Sequence, residues 1–265
     1  MNGSDPDAAD NALVRERRGL VLVARLNRPD ARNALNPEIM RGLGEVVVEA
    51  ESSTDIRAVV LTGTGDRAFC AGMDLKAFAS GEAMDLGADD VRQGFLRLLE
   101  GRVTVPLVGA ANATALAGGF ELLLGCDVIA ASSDAKFGLP EVKRGLFAAG
   151  GGAFLGTRIP MSVALEMTLT GDPISAARAY ELGLVNVVVA PDEVLETAVT
   201  LAERIAANGP LAVAATKELV RLAGADATSA RERLAELQPL IFGSDDAKEG
   251  AMAFIEKRPP VWQGR

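Results

Sequence analysis

Short apolar runs and longer runs of apolar residues at helical spacing alternate along the chain. The short runs predict buried strands, and they lie at 20–26, 58–62, 105–111, 127–131 and 184–189. The clearest helix start is Asn36-Pro37-Glu38, which supplies an N-cap, a proline at the first helical position and an acidic first turn. We expect that helix to end near Glu51 and a short buried helix to cover Gly119 to Cys126.

The pattern changes near residue 190. Before it, strands alternate with helical regions at about 77–101 and 151–182, which indicates an α/β fold. After it, only helical spacing remains, in segments near 192–207, 210–223, 228–242 and 245–256. We therefore predict three parts: a disordered tail at 1–12, an α/β core at 13–190, and a helical C-terminal region at 191–265.

Composition narrows the class of protein. The chain has 265 residues, of which 49% are hydrophobic, and this fits one large globular domain. We expect no membrane span, because no apolar run is long enough, and no secretory signal, because the N-terminus is polar and acidic. A net charge of -9 without a basic stripe argues against nucleic acid, and two isolated cysteines favour the reducing cytoplasm.

The chain contains no histidine. This excludes Ser-His-Asp and Cys-His catalysis and imidazole-ligated metal sites, and Cys70 and Cys126 are too isolated to form a thiolate zinc site. We expect no bound metal and read both cysteines as small buried apolar residues. Acid–base chemistry would then fall mainly to carboxylates.

A glycine-containing helix start offers one such carboxylate. In Ala117-Gly118-Gly119-Phe120-Glu121, glycines allow a ligand close to the backbone, and the first-turn N–H groups have no intrahelical partner. Glu121 would lie near that anion site, although an acidic residue in a first turn is also what ordinary helix capping predicts. Two further segments also contain glycine: 69–76 is typical of a strand exit and 137–141 of a helix start. Taken singly, neither indicates a functional site.

The three segments in this order, with further matches along most of the chain, resemble the crotonase (enoyl-CoA hydratase) superfamily. The supporting motifs are Asn27-Arg28-Pro29, Asn33-Ala34-Leu35, Phe69 to Lys76, Gly118 to Asp127, Lys136 to Glu141, Leu169-Thr170-Gly171, Glu181 to Asn186 and Ala247 to Arg258. The resemblance implies a crotonase-like spiral of ββα repeats followed by a helical trimerisation region. It also implies a homotrimer or a hexamer made of two trimers.

The resemblance further implies a site. The backbone N–H groups of Met73 and Gly118 would hold the thioester oxygen of an acyl-CoA as an enolate forms. Glu121 would orient and activate water, and Glu141 would protonate C2. No metal or redox cofactor is implied, because coenzyme A is part of the substrate.

Binding of coenzyme A is assigned by the same resemblance to residues near the start, the middle and the end of the chain. These residues are Arg28, Ala31, Ala71, Asp74, Leu75, Lys76, Phe254 and Lys257. Phe254 and Lys257 would reach a ligand bound in a neighbouring subunit.

Hydration of a 2-enoyl-CoA to a 3-hydroxyacyl-CoA is the activity that two glutamates favour. An enoyl-CoA isomerase of the same family, which can use one carboxylate at Glu141, and a non-catalytic acyl-CoA-binding protein remain alternatives. A ClpP-like protease shares the core topology but needs histidine. The chain has alanine at 113 and 117 and reads Phe147 to Gly152 where relatives often have glycine-rich segments, so the sequence leaves the acyl group open.

Overall fold

The computed structural model describes residues 11–75 and 86–265. Its main sheet has six strands: β1 (Leu13–Arg18), β2 (Val21–Leu26), β3 (Ala58–Gly63), β4 (Leu107–Ala111), β6 (Val128–Ser132) and β9 (Val187–Val189), in that spatial order. The first pair is antiparallel and the other pairs are parallel. A smaller sheet contains β5 (Ala115–Leu116), β7 (Lys136–Gly138) and β8 (Ile174–Ser175).

The central strands are apolar throughout because both faces of the main sheet are covered. Successive side chains point to opposite faces, so Leu22 and Leu61 join the core beneath α1 (Pro37–Ser52), while Val23 and Val60 join a second core. That second core is closed by α6 (Val194–Ala206).

The helix starts follow local sequence rules. The side chain of Asn36 accepts a hydrogen bond of 3.0 Å from the N–H of Ile39, as its predicted capping role requires. Helix α1 then packs against α2 (Asp89–Leu99), where a methyl group on Gly94 would lie 2.7 Å from the carbonyl oxygen of Gly44. The two helices therefore approach closely because both positions lack side chains.

The remaining helices are α3 (Gly118–Gly125), α4 (Met161–Thr170), α5 (Ala176–Glu181), α7 (Pro210–Ala225), α8 (Ala227–Phe242) and α9 (Asp245–Glu256). A partly buried ion-pair cluster connects α7 to the strands. The Asp127 carboxylate accepts from Lys217 at 2.7 Å and from Arg221 at 2.8 Å, and it also accepts from the backbone N–H of Leu107.

Several sequence predictions need correction. Strand β1 was not predicted, because its sequence LVRERR is mostly polar, and β5, β7 and β8 are too short to show a period. Part of the helix expected at 77–101 falls on residues outside the described ranges, and within those ranges the helix covers Asp89–Leu99.

The ends of the chain also differ from expectation. Ala12, which we assigned to the disordered tail, is buried, and its carbonyl accepts from the N–H of Asn27 at 2.7 Å. The last residues are not helical: they fold back so that Asp246 accepts from the backbone N–H groups of Gln263 and Gly264.

Across the described ranges, no helix is both long and apolar enough to cross a bilayer. The same residues contain no group of three or more Cys, Asp or Glu side chains placed to hold a metal ion.

Candidate active site

The first half of the site is a loop that runs beside β5. The N–H of Phe69 donates to the Thr114 carbonyl, Cys70 pairs with Ala115, and the N–H of Leu116 donates to the Cys70 carbonyl. Because of this parallel pairing, the loop and the segment that leads into α3 run side by side in register. Gly72 and Ala117 therefore become neighbours.

The two backbone amides singled out in the sequence lie side by side at this point. A methyl group on Gly72 would lie 3.4 Å from the nitrogen of Gly118, and one on Gly118 would lie 3.9 Å from the nitrogen of Met73. Within the described ranges, neither N–H donates a hydrogen bond to the protein. The structure thus brings together two donors from loops that are distant in sequence.

The direction of the Met73 N–H follows from its pairing with Leu35. The N–H of Leu35 donates to the Gly72 carbonyl at 2.8 Å, and the Leu35 carbonyl accepts from Asp74 at 2.9 Å. In such a parallel bridge the N–H of the middle residue points away from its partner. Met73 therefore presents its N–H on the side opposite to Leu35.

Glu121 lies in the first turns of α3 and is 6% exposed. It is the acidic residue of the first turn, but its side chain accepts no hydrogen bond from the N–H groups of its own helix among the described residues. Instead, its Oε1 accepts from the backbone N–H groups of Gly150 at 2.7 Å and Gly152 at 3.0 Å. Two bonds to one oxygen fix the orientation of the carboxyl group, while Oε2 accepts none from the described residues.

Glu141 lies in a 3-10 turn, Pro140–Arg144, that follows β7. Its Oε2 is buried and has no hydrogen-bond partner among the described residues, which is costly for a carboxyl oxygen. Burial raises the pKa of Glu141, and the charge of Glu121 raises it further. A hydrogen bond from the backbone N–H of Glu141 and the charge of Arg144 act in the opposite direction and lower this pKa. The two carboxyl groups are therefore near enough to influence each other.

An apolar side chain lies near the Glu121 carboxyl, and two more are exposed on the segment that follows Glu141. A methyl group on Gly150 would lie 2.9 Å from Oε2 of Glu121 and 3.3 Å from the Leu99 side chain. The segment between Glu141 and Gly150 exposes Leu146 and Phe147 at 43% and 73%. The region beside Glu121 therefore includes one apolar side chain, that of Leu99.

The residues expected to bind coenzyme A fall into two separate groups. In the first group, Arg28 donates to the Ala34 carbonyl at 2.8 Å and to Asp74 at 3.1 Å, so this cation is already paired. Ala31 ends a 3-10 turn and Ala71 lies on the next loop, where its N–H donates to the Arg32 carbonyl. Leu75 is 44% exposed.

Lys76 lies outside the described residues. The second group lies at the end of α9, where Phe254 is 86% exposed and Lys257 is exposed. No hydrogen bond or ion pair among the described residues joins these two side chains to the glutamates.

Both cysteines are buried, as the sequence predicted. Burial raises the pKa of each thiol to about 12. Neither Cys70 nor Cys126 is therefore a reactive thiolate at neutral pH.

The chain belongs to the enoyl-CoA hydratase/isomerase family, whose model matches residues 16–265. It is 42% identical to the enoyl-CoA hydratase EchA19 of Mycobacterium tuberculosis, over 98% of both chains. It is 40% identical to a carnitinyl-CoA dehydratase of Proteus mirabilis, over 94% of this chain and 97% of the relative.

The fold agrees with that assignment. A crystal structure of an enoyl-CoA hydratase from Mycobacterium tuberculosis superposes with a TM-score of 0.88 at 46% identity, and the match covers 97% of this chain and all of the other. The crotonase-like α/β fold with a helical C-terminal region is thereby confirmed.

Sequence reasoning missed the groups that hold Glu121. The run Gly150-Gly151-Gly152 was noted only as a departure from relatives, yet two of its amides bind the carboxylate. Three consecutive glycines expose their N–H groups, and that property was the available signal. Asn33 was also missed as a structural clamp: it is buried and its amide group donates to the carbonyls of Thr64 and Ala68.

Proposed function

We propose that this protein is an enoyl-CoA hydratase, which adds water across the C2=C3 bond of a 2-enoyl-CoA in the degradation of fatty or related acyl groups. The observation that carries the proposal is the pair of carboxyl groups, Glu121, oriented by two backbone N–H groups, and Glu141, whose pKa the charge of Glu121 raises. A hydratase needs one group to take a proton from water and another to deliver one to carbon.

The first step concerns the thioester oxygen. As hydroxide adds to C3, negative charge moves from the double bond onto this oxygen, giving an enolate. The N–H groups of Met73 and Gly118 would donate to it, and donors fixed in advance act on charge that develops only in the transition state. Their lack of partners within the described protein supports this role.

The second step is the proton balance. Glu121 would take a proton from water as its oxygen bonds to C3, and Glu141 would give its proton to C2 as the enolate collapses to the thioester. The raised pKa of Glu141 supports its part, because an acid must keep its proton near working pH. A proton passing from Glu121 to Glu141 through solvent then restores the starting state.

An isomerase of the same family is the main alternative, since shifting a double bond needs one carboxylate. The two N–H groups that orient Glu121 favour the hydratase, because an idle carboxylate would not need such fixed placement. A non-catalytic acyl-CoA-binding protein is disfavoured by the buried, unpartnered oxygen of Glu141.

The relatives called carnitinyl-CoA dehydratases raise a second substrate class, with a quaternary ammonium on the acyl group. Such a cation is usually recognised by aromatic faces or an additional carboxylate. The chain has one tryptophan and one tyrosine. Trp262 packs on Gly209 and Gly250 at the C-terminus. Within the turn that contains Glu141, the charge that acts on this carboxyl group is the positive charge of Arg144. The positive charge of Arg144 near Glu141 would repel such a cation, and on this ground we favour an uncharged acyl group.

Coenzyme A enters this scheme as part of the substrate, and the reaction uses no separate cofactor or metal. We propose that Ala31, Ala71 and Leu75 contact its adenine and pantetheine parts, with Arg28 and Asp74 holding their loops together through their ion pair. Lys76, Phe254 and Lys257 are proposed to meet the phosphates and the nucleotide end, the last two from a neighbouring subunit.

We also propose a homotrimer or a dimer of trimers, built largely through the region after residue 190. Large apolar side chains exposed on α8 and α9 support assembly: Leu240, Phe242, Met252, Phe254 and Ile255. Reduced, buried cysteines are consistent with a cytoplasmic enzyme.

The test is an assay with three 2-enoyl substrates, crotonyl-CoA, a longer straight-chain 2-enoyl-CoA and crotonobetainyl-CoA, and separately with a 3-enoyl-CoA, whose isomerisation would raise the conjugated absorbance. Loss of the conjugated thioester absorbance measures hydration directly. We expect turnover of at least one uncharged substrate and little turnover of the cationic one. Preference for crotonobetainyl-CoA would overturn the substrate class, and conversion of 3-enoyl-CoA without any hydration would favour the isomerase.

A further inference from the structure

Ala117, the residue before Gly118, has a backbone conformation that a side chain rarely adopts. Its φ is 51° and its ψ is -131°. Glycine reaches this region freely, whereas Cβ makes it costly for an L-residue. Such a conformation persists only where the surroundings fix it, and it is often found at a functional site.

Two backbone bonds fix the peptide that joins Ala117 to Gly118, and a third holds the peptide before it. The Ala117 carbonyl accepts from the N–H groups of Phe120 at 2.8 Å and Glu121 at 3.0 Å, and the Ala117 N–H donates to Gly138 at 2.9 Å. In a trans peptide the N–H points opposite to the carbonyl. The direction of the Gly118 N–H is therefore set by the twist at Ala117.

The Ala117 side chain touches the other donor loop. A methyl group on Gly72 would lie only 2.6 Å from Cβ of Ala117, so this Cβ packs directly over the Gly72 backbone. The peptide that joins Gly72 to Met73 carries the Met73 N–H. Its carbonyl, which belongs to Gly72, accepts a hydrogen bond of 2.8 Å from the N–H of Leu35. One methyl group thus lies between the two peptides that carry the donors.

We propose that Ala117 is a positioning residue, whose methyl group and strained turn set the spacing and direction of the Met73 and Gly118 N–H groups. The inference rests on the proposed function in that the paired N–H groups bind an enolate oxygen. Glycine at 117 would keep the turn with less strain but would leave the two loops without their spacer. Enolate stabilisation would then weaken, whereas ground-state binding of the long coenzyme A moiety would not.

The test is the Ala117→Gly variant of the full-length protein, compared with Ala115→Gly. Ala115 is fully buried two residues earlier, in β5, where the backbone does not have a positive φ. We expect Ala117→Gly to lower kcat for hydration about five- to tenfold, with KM changed less than twofold. Ala115→Gly should lower the thermal midpoint without this split between kcat and KM.

A second readout is independent of hydration. Bound acetoacetyl-CoA forms an enolate that absorbs in the ultraviolet, and the paired donors should lower the pH at which half of the bound ligand is enolate. Ala117→Gly should move that pH back towards the value for the free ligand, and Ala115→Gly should leave it unchanged. An unchanged enolate midpoint in Ala117→Gly, or a loss of activity that only parallels a loss of stability, would overturn the proposal. If the wild-type protein forms the enolate but hydrates no enoyl-CoA, the proposed function fails and this inference does not.

Discussion

The loops of the active site and the C-terminal helices are held in place by different kinds of interaction. Around the site, backbone N–H groups donate either to backbone carbonyls, from Leu35 to Gly72 and from Ala117 to Gly138, or to one side-chain carboxylate, from Gly150 and Gly152. In the C-terminal region, ion pairs between side chains hold the helices in place, as in the cluster of Asp127, Lys217 and Arg221. Backbone bonds give fixed positions, whereas ion pairs attach whole helices.

The two regions also differ in how completely they bury their apolar residues. Strands β2 to β4 are almost entirely buried. In contrast, α8 buries Ala230 and Leu237 while Phe242 is 76% exposed, and α9 buries Asp246 and Ala253 while Phe254 is 86% exposed. The central strands are thus covered within one chain, whereas the C-terminal helices leave large apolar side chains exposed, which supports the proposed assembly with another copy.

The largest expected effect lies in the site. Glu121→Gln and Glu141→Gln should each lower kcat for hydration by about 10²- to 10⁴-fold, because each removes a proton-transfer group without changing its shape. KM for the enoyl-CoA should change little, since the residues proposed to contact coenzyme A do not include these two glutamates. Steady-state kinetics check this.

The matched control is Glu218→Gln, which makes the same chemical change at an exposed ion pair with Arg233 in the C-terminal region. It should keep wild-type kinetics. Normal turnover in either active-site variant would contradict the assignment, and loss in Glu141→Gln alone would favour the isomerase.

The next effect concerns assembly. Phe242→Asp should convert the oligomer to monomers at micromolar concentration, because burying the new carboxylate between copies would cost several kcal/mol. Light scattering measures the mass. Gln238→Asp adds the same group at an exposed polar position of α8 and should leave the mass unchanged. A wild-type protein that is already monomeric would remove the proposed trimer.

A smaller effect is expected where the two regions join. Asp127→Asn leaves Lys217 and Arg221 without their counter-charge, and Lys217 is only 9% exposed. The free energy of unfolding should fall by about 3 kcal/mol, as measured by urea unfolding at fixed protein concentration. Glu218→Gln should cost at most about 1 kcal/mol. Equal losses of unfolding free energy in Asp127→Asn and Glu218→Gln would show that the cluster does not anchor α7.

Elements with a strong period or a complete cap were predictable from the sequence. Helix α1 begins at Pro37 with the Asn36 cap, and the four C-terminal helices lie within a few residues of their predicted bounds. The polar edge strand β1 was missed because pairing with β2, rather than an apolar face of its own, defines it.

The site was predictable in part and for a different reason. No spacing rule places Gly72 beside Ala117, because that contact depends on parallel pairing between segments far apart in the chain. The resemblance to a family supplied the pair of donors and the pair of acids. The binding of Glu121 by Gly150 and Gly152, and the strained turn at Ala117, became visible only in the folded chain.

The smallest expected effect links the acid of the site to stability. The pKa of Glu141 is raised in the folded protein, so the folded state keeps its proton to a higher pH than the unfolded chain does. The pKa of a glutamate in an unfolded chain is about 4.3. As the pH rises from this value through the pKa of Glu141 in the folded protein, the wild-type protein should lose stability. Glu141→Gln has no charge to bury, so it should be more stable than wild type at neutral pH, and this advantage should vanish below pH of about 4. Urea unfolding of both proteins across this pH range measures the difference, with Glu218→Gln as the control that shows no such trend. An advantage that stays constant with pH would mean that the gain has another origin than the buried carboxylate.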